Sequence, residues 1–356
     1  MSVDPRMVTL AREAQGWNQT HLAQLLGITQ GYLSKVENGN VEVPSDLLNR
    51  LADTLDCPPS LFSFSGGTTN IEVTCLHHRR RASTMSAPTK KRIEALAKLT
   101  RISVEQLMSG LELGNTTSIS RPSEESTNPV AAARNARNSF GIPHGPINNV
   151  IEIVERAGVL VVHRALGTAA QDAVSTWPAN GRPMMLVNSG LSPDRQRFTI
   201  AHELGHLIMH GAPGDEQEHE ANVFASEFLA PADDIRDDLA DLGPRDMATL
   251  MKLKSKWGLS IAALIRRSHD LDQIDAATYR GYQIQLSKLG WRTNEPGAVP
   301  EEEPKLVDRI ISTRQQVDNL DLAELASIAL MKNDGFTKVF MSSNHVSAKV
   351  TVIIDA

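Results

Sequence analysis

One stretch of the sequence reads Arg197-Phe198-Thr199-Ile200-Ala201-His202-Glu203-Leu204-Gly205-His206-Leu207. It sets two histidines four positions apart in a mostly apolar run. At 3.6 residues per turn, positions i and i+4 lie on one face of a helix, about one turn apart. His202 and His206 can therefore both direct an imidazole nitrogen at one ion. The pattern predicts a helix that carries a metal site.

Glu203 lies between the two histidines and indicates what the metal is for. A carboxylate beside a Lewis-acidic metal can take a proton from water, whose pKa zinc lowers to about 7. The spacing is the HExxH signature of zinc peptidases. Gly205 leaves room for the close approach of a neighbouring backbone. We expect zinc as the cofactor, with manganese as the alternative because it also accepts histidine and carboxylate ligands.

A catalytic zinc site needs a third protein ligand and an open position. The segment 215–231 offers Glu218, His219 and Glu220 as candidates, at the acidic start of a second predicted helix. We favour Glu218, because Asn222 lies one turn later on the same face and could hold a ligand histidine by its free N–H. Glu220 is the alternative. Some of this acidic charge also complements the helix dipole. The second helix should pack on the first through Ala221, Phe224, Ala225, Phe228 and Leu229.

Residues 197–210 and 218–225, closing at Pro231, resemble the ImmA/IrrE metallopeptidases. The resemblance covers about residues 130–295 and includes the start of the domain at 140–147 and two predicted strands, 159–162 and 183–187. It implies that His202, His206 and Glu218 bind the metal and that Glu203 is the catalytic general base. Known members of the family cut helix-turn-helix repressors, so the resemblance implies a repressor protein as substrate.

Residues 7–57 contain a second recognisable module. Asn18 and Thr29 are good helix N-caps, Gly27 can end a helix, and the predicted apolar core is Leu22, Ala23, Leu26, Leu33 and Val36. The segment 16–39 resembles the Xre/Cro helix-turn-helix family, which implies double-stranded operator DNA as a partner. In that family the helix that follows Thr29 reads the major groove. The residues implied in DNA binding are Gln19, Thr29, Gln30, Tyr32, Ser34, Lys35 and Asn38, of which Gln19 and Asn38 lie near phosphates.

Charge argues against strong DNA binding by this module alone. Residues 1–64 hold four basic side chains and seven acidic ones, so counterion release contributes little to affinity. A helical bundle that docks proteins or dimerises is the alternative interpretation. The basic segment from Arg79 to Arg101 could add phosphate contacts, or it could be an ordinary solvated helix face.

The chain therefore predicts an α+β multidomain protein. An all-α helix-turn-helix bundle spans 1–65, and a basic helical connector with a Ser/Thr/Pro-rich linker spans 66–129. A zincin-like α+β metallopeptidase domain with the HExxH helix spans 130–295. A small α+β tail spans 296–356, beyond a break at 294–304, with a helical part at 306–331 and short strands at 336–354. Residues 254–264 look locally like a second helix-turn-helix, but we interpret Trp257 and Leu264 as core of the peptidase domain.

Composition limits the other classes of function. No window approaches the length of a membrane span, so no membrane partner is expected. Two cysteines give no disulfide framework, and a reducing cytoplasm is the expected location, with nucleoid association, for a bacterial or phage-encoded protein. A homodimer is a further expected assembly.

Four residues could serve as donors to a tetrahedral oxyanion: His163, His269, Tyr279 and Tyr282.

Two functions fit this sequence. In the first, a DNA-binding regulator uses a zinc-dependent endopeptidase domain to cut a repressor, or itself, in response to stress or phage-type signals. In the second, the metal domain of a transcription factor is a non-catalytic sensor or docking module. The presence of Glu203 beside both histidines favours the first, because a docking domain has no need of the base.

Overall fold

A computed structural model of the chain describes residues 3–65, 85–111, 119–121, 128–142, 144–179, 181–211, 215–240, 242–243, 246–292 and 294–341. The N-terminal module is wholly helical. Its elements are α1 (Pro5–Ala14), α2 (Gln19–Leu26), α3 (Gln30–Glu37), α4 (Ser45–Thr54) and a 3₁₀ helix (Pro59–Ser63).

The predicted caps and core of this module are confirmed. The Asn18 side chain accepts a hydrogen bond from the His21 N–H, and the Thr29 side chain accepts one from Tyr32. Gly27 ends α2 in the left-handed region, with φ +63°, where a residue without a Cβ is favoured. All five predicted core residues are buried in one cluster. The sequence of this module therefore specifies its helix-turn-helix locally.

The central part is a small mixed sheet surrounded by helices. A long helix, α5 (Ala87–Met108), precedes it. The other central elements, in chain order, are α6 (Pro129–Ser139), α7 (Val150–Arg156), β1 (Leu160–Arg164), β2 (Ala173–Thr176), β3 (Met184–Asn188), α8 (Pro193–Met209), α9 (Gln217–Leu229), α10 (Ala232–Ala240), α11 (Met247–Trp257), α12 (Ile261–Asp270) and α13 (Ala276–Lys288). The strand order is β1-β3-β2, with β1 parallel and β2 antiparallel to β3. Both predicted strands are confirmed as β1 and β3, whereas β2 was not predicted.

Both faces of the sheet are buried. Side chains alternate between the faces of a strand, and Val161, Met185 and Val187 point into the core formed with α6–α13. Leu160 and Leu186 point the other way, into a second core that includes α5 and the C-terminal helices. Within the predicted connector, α5 is thus a layer of the folded body.

Arg101 shows how closely α5 is joined to the sheet. Its side chain is 1% exposed and donates hydrogen bonds to the Thr176 hydroxyl, the Thr176 carbonyl and the Arg182 carbonyl, at 2.7, 2.8 and 3.0 Å. It also pairs with Glu105 at 3.1 Å. Arg101 was one of the basic residues considered for phosphate contacts, and its burial against β2 removes it from that role.

Beyond residue 304, the regular structure within the described residues is helical. The tail forms α14 (Leu306–Val317), α15 (Leu322–Ile328) and α16 (Asn333–Phe340). The prediction of strands from residue 336 was wrong for 336–340, because Phe336 and Phe340 lie one turn apart on α16 and pack into the second core. The rest of the predicted strand segment lies outside the described residues. The tail completes the cover of the sheet.

The predicted break at 294–304 is also part of the packed structure. Glu302 is 4% exposed, accepts hydrogen bonds from the Val150 and Ile151 N–H groups at 2.8 and 3.0 Å, and pairs with Arg197 of α8. Glu295 accepts hydrogen bonds from the first N–H groups of α12, at 2.7 and 3.2 Å. These carboxylates satisfy helix N-termini, which otherwise lack partners for their N–H groups. Two acidic residues of this segment therefore cap the N-termini of α7 and α12.

The two helices of the predicted metal site pack directly along each other. The five apolar positions predicted on α9 are fully buried, and α8 lies against them. Gly205 faces Phe224: a Cβ at position 205 would lie 3.0 to 3.2 Å from three atoms of that side chain. Phe224 in turn stacks on Phe228, with ring centroids 5.7 Å apart, so it has little room to move.

We therefore expect Gly205→Ala to destabilise the protein. Alanine gains about 1 kcal/mol in helix propensity over glycine, but crowding a packed core costs about 1–3 kcal/mol, so a net loss of about 1 kcal/mol is expected in urea unfolding. The double variant Gly205→Ala, Phe224→Leu should recover part of that loss. Stability equal to or above that of the parent protein in the single variant would show that α8 and α9 can separate without cost.

Candidate metal centre

Three side chains converge between α8 and α9. The Nε2 atoms of His202 and His206 lie 3.1 Å apart. The Glu218 carboxylate lies 3.2 Å from Nε2 of His206 and 3.7 Å from Nε2 of His202. Both histidines are buried and Glu218 is partly exposed, so the cluster has one side that water or a substrate can reach.

The spacing of these atoms fits a tetrahedral metal. With ligand bonds of about 2.0–2.1 Å, the edge between two ligand atoms of a tetrahedron is about 3.3 Å. The three distances of 3.1, 3.2 and 3.7 Å lie around that value. Two histidines and one glutamate are a ligand set of catalytic zinc sites, with the fourth position left for water. The residues present therefore fit a zinc ion.

Asn222 contacts a histidine of the cluster, as the sequence predicted. Its Oδ1 is 3.1 Å from Nδ1 of His202, and its Nδ2 donates to the Glu218 carbonyl at 2.6 Å. With Nδ1 of His202 as the donor, Nε2 is left without a proton and free to bind a metal. In this tautomer, the Asn222 contact also orients the His202 ring.

A second support, on His206, was missed by sequence reasoning. Nδ1 of His206 lies 2.8 Å from Nδ1 of His210, and Nε2 of His210 lies 3.0 Å from the Glu220 carboxylate. If His210 donates to Glu220, its Nδ1 accepts from His206, which again leaves Nε2 of His206 for the metal. The i+4 spacing of His206 and His210 was the available signal. The carboxylate of Glu220, the alternative ligand, contacts His210 and is not one of the three converging groups.

Glu203 lies on α8 between the two histidines and is 0% exposed.

The four oxyanion candidates have other partners: the Tyr282 hydroxyl donates to the Gly243 carbonyl at 2.6 Å, His163 lies 3.4 Å from Glu303, and His269 packs on Tyr279. These contacts do not select one of them as the donor.

The predicted DNA-reading residues lie on and around α3. Thr29, Gln30, Lys35 and Asn38 are exposed, and the remaining three, Gln19, Tyr32 and Ser34, are half-buried.

A chain of hydrogen bonds fixes the first turn of α3. Gln30 donates to Gln19 at 2.7 Å, Gln19 donates to Glu37 at 2.8 Å, and Glu37 accepts two bonds from Arg12 at 2.6 and 2.9 Å. The Arg12–Glu37 pair is buried, so Glu37 is not a free surface charge. Sequence reasoning counted it as one.

Two basic residues of α5 contact α1 of the N-terminal module. Arg92 donates to the Ala14 carbonyl at 3.3 Å, and Lys91 lies 3.6 Å from Glu13. The run Arg79–Arg81 lies outside the described residues. Cys57 is buried, and burial raises the pKa of its thiol to about 12.

Comparison with known proteins identifies two domains. The helix-turn-helix family model matches residues 9–62, and the IrrE N-terminal-like domain matches residues 154–269. The radiation response metalloprotease IrrE of Deinococcus deserti is 36% identical over 80 residues, which span 18% of this chain and 28% of that protein. The metallopeptidase ImmA of Bacillus subtilis is 32% identical over 98 residues, which span 24% of this chain and 56% of that protein.

The chain thus combines a helix-turn-helix domain of the Xre type with a metallopeptidase domain of the IrrE/ImmA type. The matched segments span less than two thirds of either relative. None of the helices among the described residues is both long enough and apolar enough to cross a membrane.

Proposed function

We propose that this protein is a zinc-dependent endopeptidase attached to a DNA-binding module, and that it cleaves a helix-turn-helix repressor or its own chain. One observation carries the catalytic part of the proposal. His202 and His206 converge with Glu218 at tetrahedral spacing, and Glu203 lies in the same helix beside them. The relatives named as metallopeptidases support the same chemistry.

Each residue of the site has one task in this proposal. His202, His206 and Glu218 hold the metal, and Asn222 and His210 keep the two imidazoles in the required tautomer. Zinc supplies Lewis acidity, which polarises a peptide carbonyl and makes water more acidic. Glu203 accepts the proton of the attacking water and can return it to the leaving amine. Manganese remains the alternative metal.

The N-terminal module supplies the second part of the proposal, transcription regulation at an operator. Gln30 is positioned by Gln19 at the start of α3, where its amide could pair with an adenine edge. Lys35 is exposed further along the same helix, where its ammonium group could pair with a guanine edge in the major groove. DNA binding would place the peptidase domain beside a repressor bound at the same operator.

Cleavage is tested by incubating the zinc-loaded protein with purified helix-turn-helix repressors encoded near its gene. We expect discrete fragments of one repressor, or of the chain itself, that disappear with a zinc chelator and return when zinc is restored. Bound zinc without fragments of any such repressor or of the chain itself would favour the non-catalytic sensor or docking function.

DNA binding by α3 gives a separate prediction. Gln30→Ala should weaken operator binding by about 1–3 kcal/mol and relax the preference at one base pair. Lys35→Ala should also weaken operator binding by about 1–3 kcal/mol, and because it removes a cation it should reduce the salt slope by about 1. Gel shifts at several salt concentrations measure both. Gln24→Ala, which changes an exposed glutamine of α2, is the matched control, and gel shifts unchanged in all three variants would assign the module to protein docking.

A further inference from the structure

A cavity of about 510 Å³ lies where the N-terminal module, α5, the end of β1 and the C-terminal helices meet. Its apolar wall includes Leu96 and Leu99 of α5, together with Leu330 and Val339 from the tail. The volume is in the range of sites for small molecules. The cavity is lined by none of the residues of the candidate metal centre.

The polar wall of the cavity is strongly basic. Arg92, Arg164 and Lys338 all line it, and within the described ranges none of the three forms an ion pair. Lys332 and Asp56 also line the cavity, but they lie 3.7 Å from each other and largely offset one another. The wall therefore carries about three positive charges that the described part of the protein does not neutralise.

The two arginines are held in place by neutral groups. Arg164 donates to the Thr100 hydroxyl, and Arg92 donates to the Ala14 carbonyl at 3.3 Å. A Cβ at Gly167 would overlap with the Arg92 guanidinium, so the chain leaves room for this side chain. Burial and the charge of Arg92 lower the pKa of Arg164 to about 10. Two adjacent guanidinium groups repel each other, and an anion between them would reverse the sign of that interaction.

A third polar group faces the same space. The Nε2 atom of His163 is buried without a hydrogen-bond partner among the described residues, while its Nδ1 lies 3.4 Å from Glu303. Buried polar atoms normally have partners. A ligand in the cavity would provide one.

We propose that this cavity binds a small amphipathic anion, with a carboxylate or phosphate group on Arg92 and Arg164 and an apolar part against Leu96, Leu99 and Leu330. Guanidinium groups recognise both kinds of anion through paired hydrogen bonds. Because the walls come from the N-terminal module and from the tail, the bound anion would stabilise the packing of the two. This site is independent of peptide cleavage.

The proposal is tested on the full-length protein by calorimetric titration with octanoate and with octyl phosphate. We expect saturable binding of at least one anion and a rise in Tm at saturation. Tighter binding of octyl phosphate would identify a phosphate monoester, and tighter binding of octanoate a carboxylate. Octan-1-ol and inorganic phosphate, each lacking one half of the ligand, should bind at least about 10-fold more weakly, since a charge-assisted hydrogen bond is worth about that factor or more.

Arg92→Gln and Arg164→Gln should each weaken binding of the anion at least about 10-fold. Lys91→Gln removes the same charge from the neighbouring position of α5 and should leave binding unchanged. Equal binding of octanol and octanoate to the parent protein would overturn the proposal, and this comparison does not depend on any variant folding. Unchanged affinity in both arginine variants would overturn it as well.

Discussion

Glu203→Gln is expected to leave zinc bound and to remove proteolysis. Glutamine keeps the volume of the buried side chain but cannot accept a proton from water. General acid–base catalysis by one side chain contributes between about 100-fold and 10 000-fold, so kcat for fragment formation should fall by that range. The measurement pairs metal analysis of the purified variant with the rate at which the cleaved repressor appears.

The control for this experiment is Glu216→Gln, the same chemical change on an exposed side chain at the start of α9. It should alter neither zinc content nor rate. If Glu203→Gln still cuts at the parent rate, Glu203 is not the base. If the variant has lost its zinc, the role of Glu203 is structural rather than catalytic.

Glu218→Ala is expected to have the largest effect on metal affinity. It removes the proposed ligand atom, which lies 3.2 Å from Nε2 of His206. Loss of a residue that only supports a ligand costs about 10- to 100-fold in affinity, so loss of the ligand itself should exceed about 100-fold. Competition with a chromogenic chelator measures the change.

Glu220→Ala is the matched comparison, because it makes the same truncation two residues later. Its carboxylate lies on His210, so we expect a loss of no more than about 10- to 100-fold. The reverse order, with Glu220→Ala losing zinc and Glu218→Ala retaining it, would exchange the two roles.

The proposed metal ligands could be predicted because one helix carries most of the pattern. The spacing of His202 and His206 needs only helical geometry, and Asn222 follows Glu218 by one turn of a second helix. The sequence favoured Glu218 over Glu220 through Asn222, and the packing of α8 on α9 brings the Glu218 carboxylate to the two Nε2 atoms and the Glu220 carboxylate to His210. The support of His206 by His210 was missed because the HExxH pattern ends at its second histidine.

Long-range packing was harder to predict. The strand β2 is four residues long and carries Ser175 and Thr176, which are buried through contacts made elsewhere in the chain. Glu302 was interpreted as part of a break because its segment is acidic and rich in proline, although its carboxylate caps α7, 152 and 151 residues away from the two N–H groups that it accepts from. A local sequence pattern cannot predict a partner so distant in the chain. The strand prediction at Phe336–Phe340 failed for a similar reason, since its apolar residues fit either period over so short a run.

The two buried faces of the sheet also set the size of the smallest autonomous unit. A fragment cut to the limits of the recognised peptidase domain, residues 154–269, would leave the outer face of β1 and β3 without α5 and the tail. The side chains of Leu160, Val162 and Leu186 would then form one solvent-exposed apolar patch, and such patches promote aggregation. The domain recognised at 154–269 therefore depends on α5 and on the tail helices for a closed apolar core, so its boundaries in sequence are narrower than its boundaries as a folded unit.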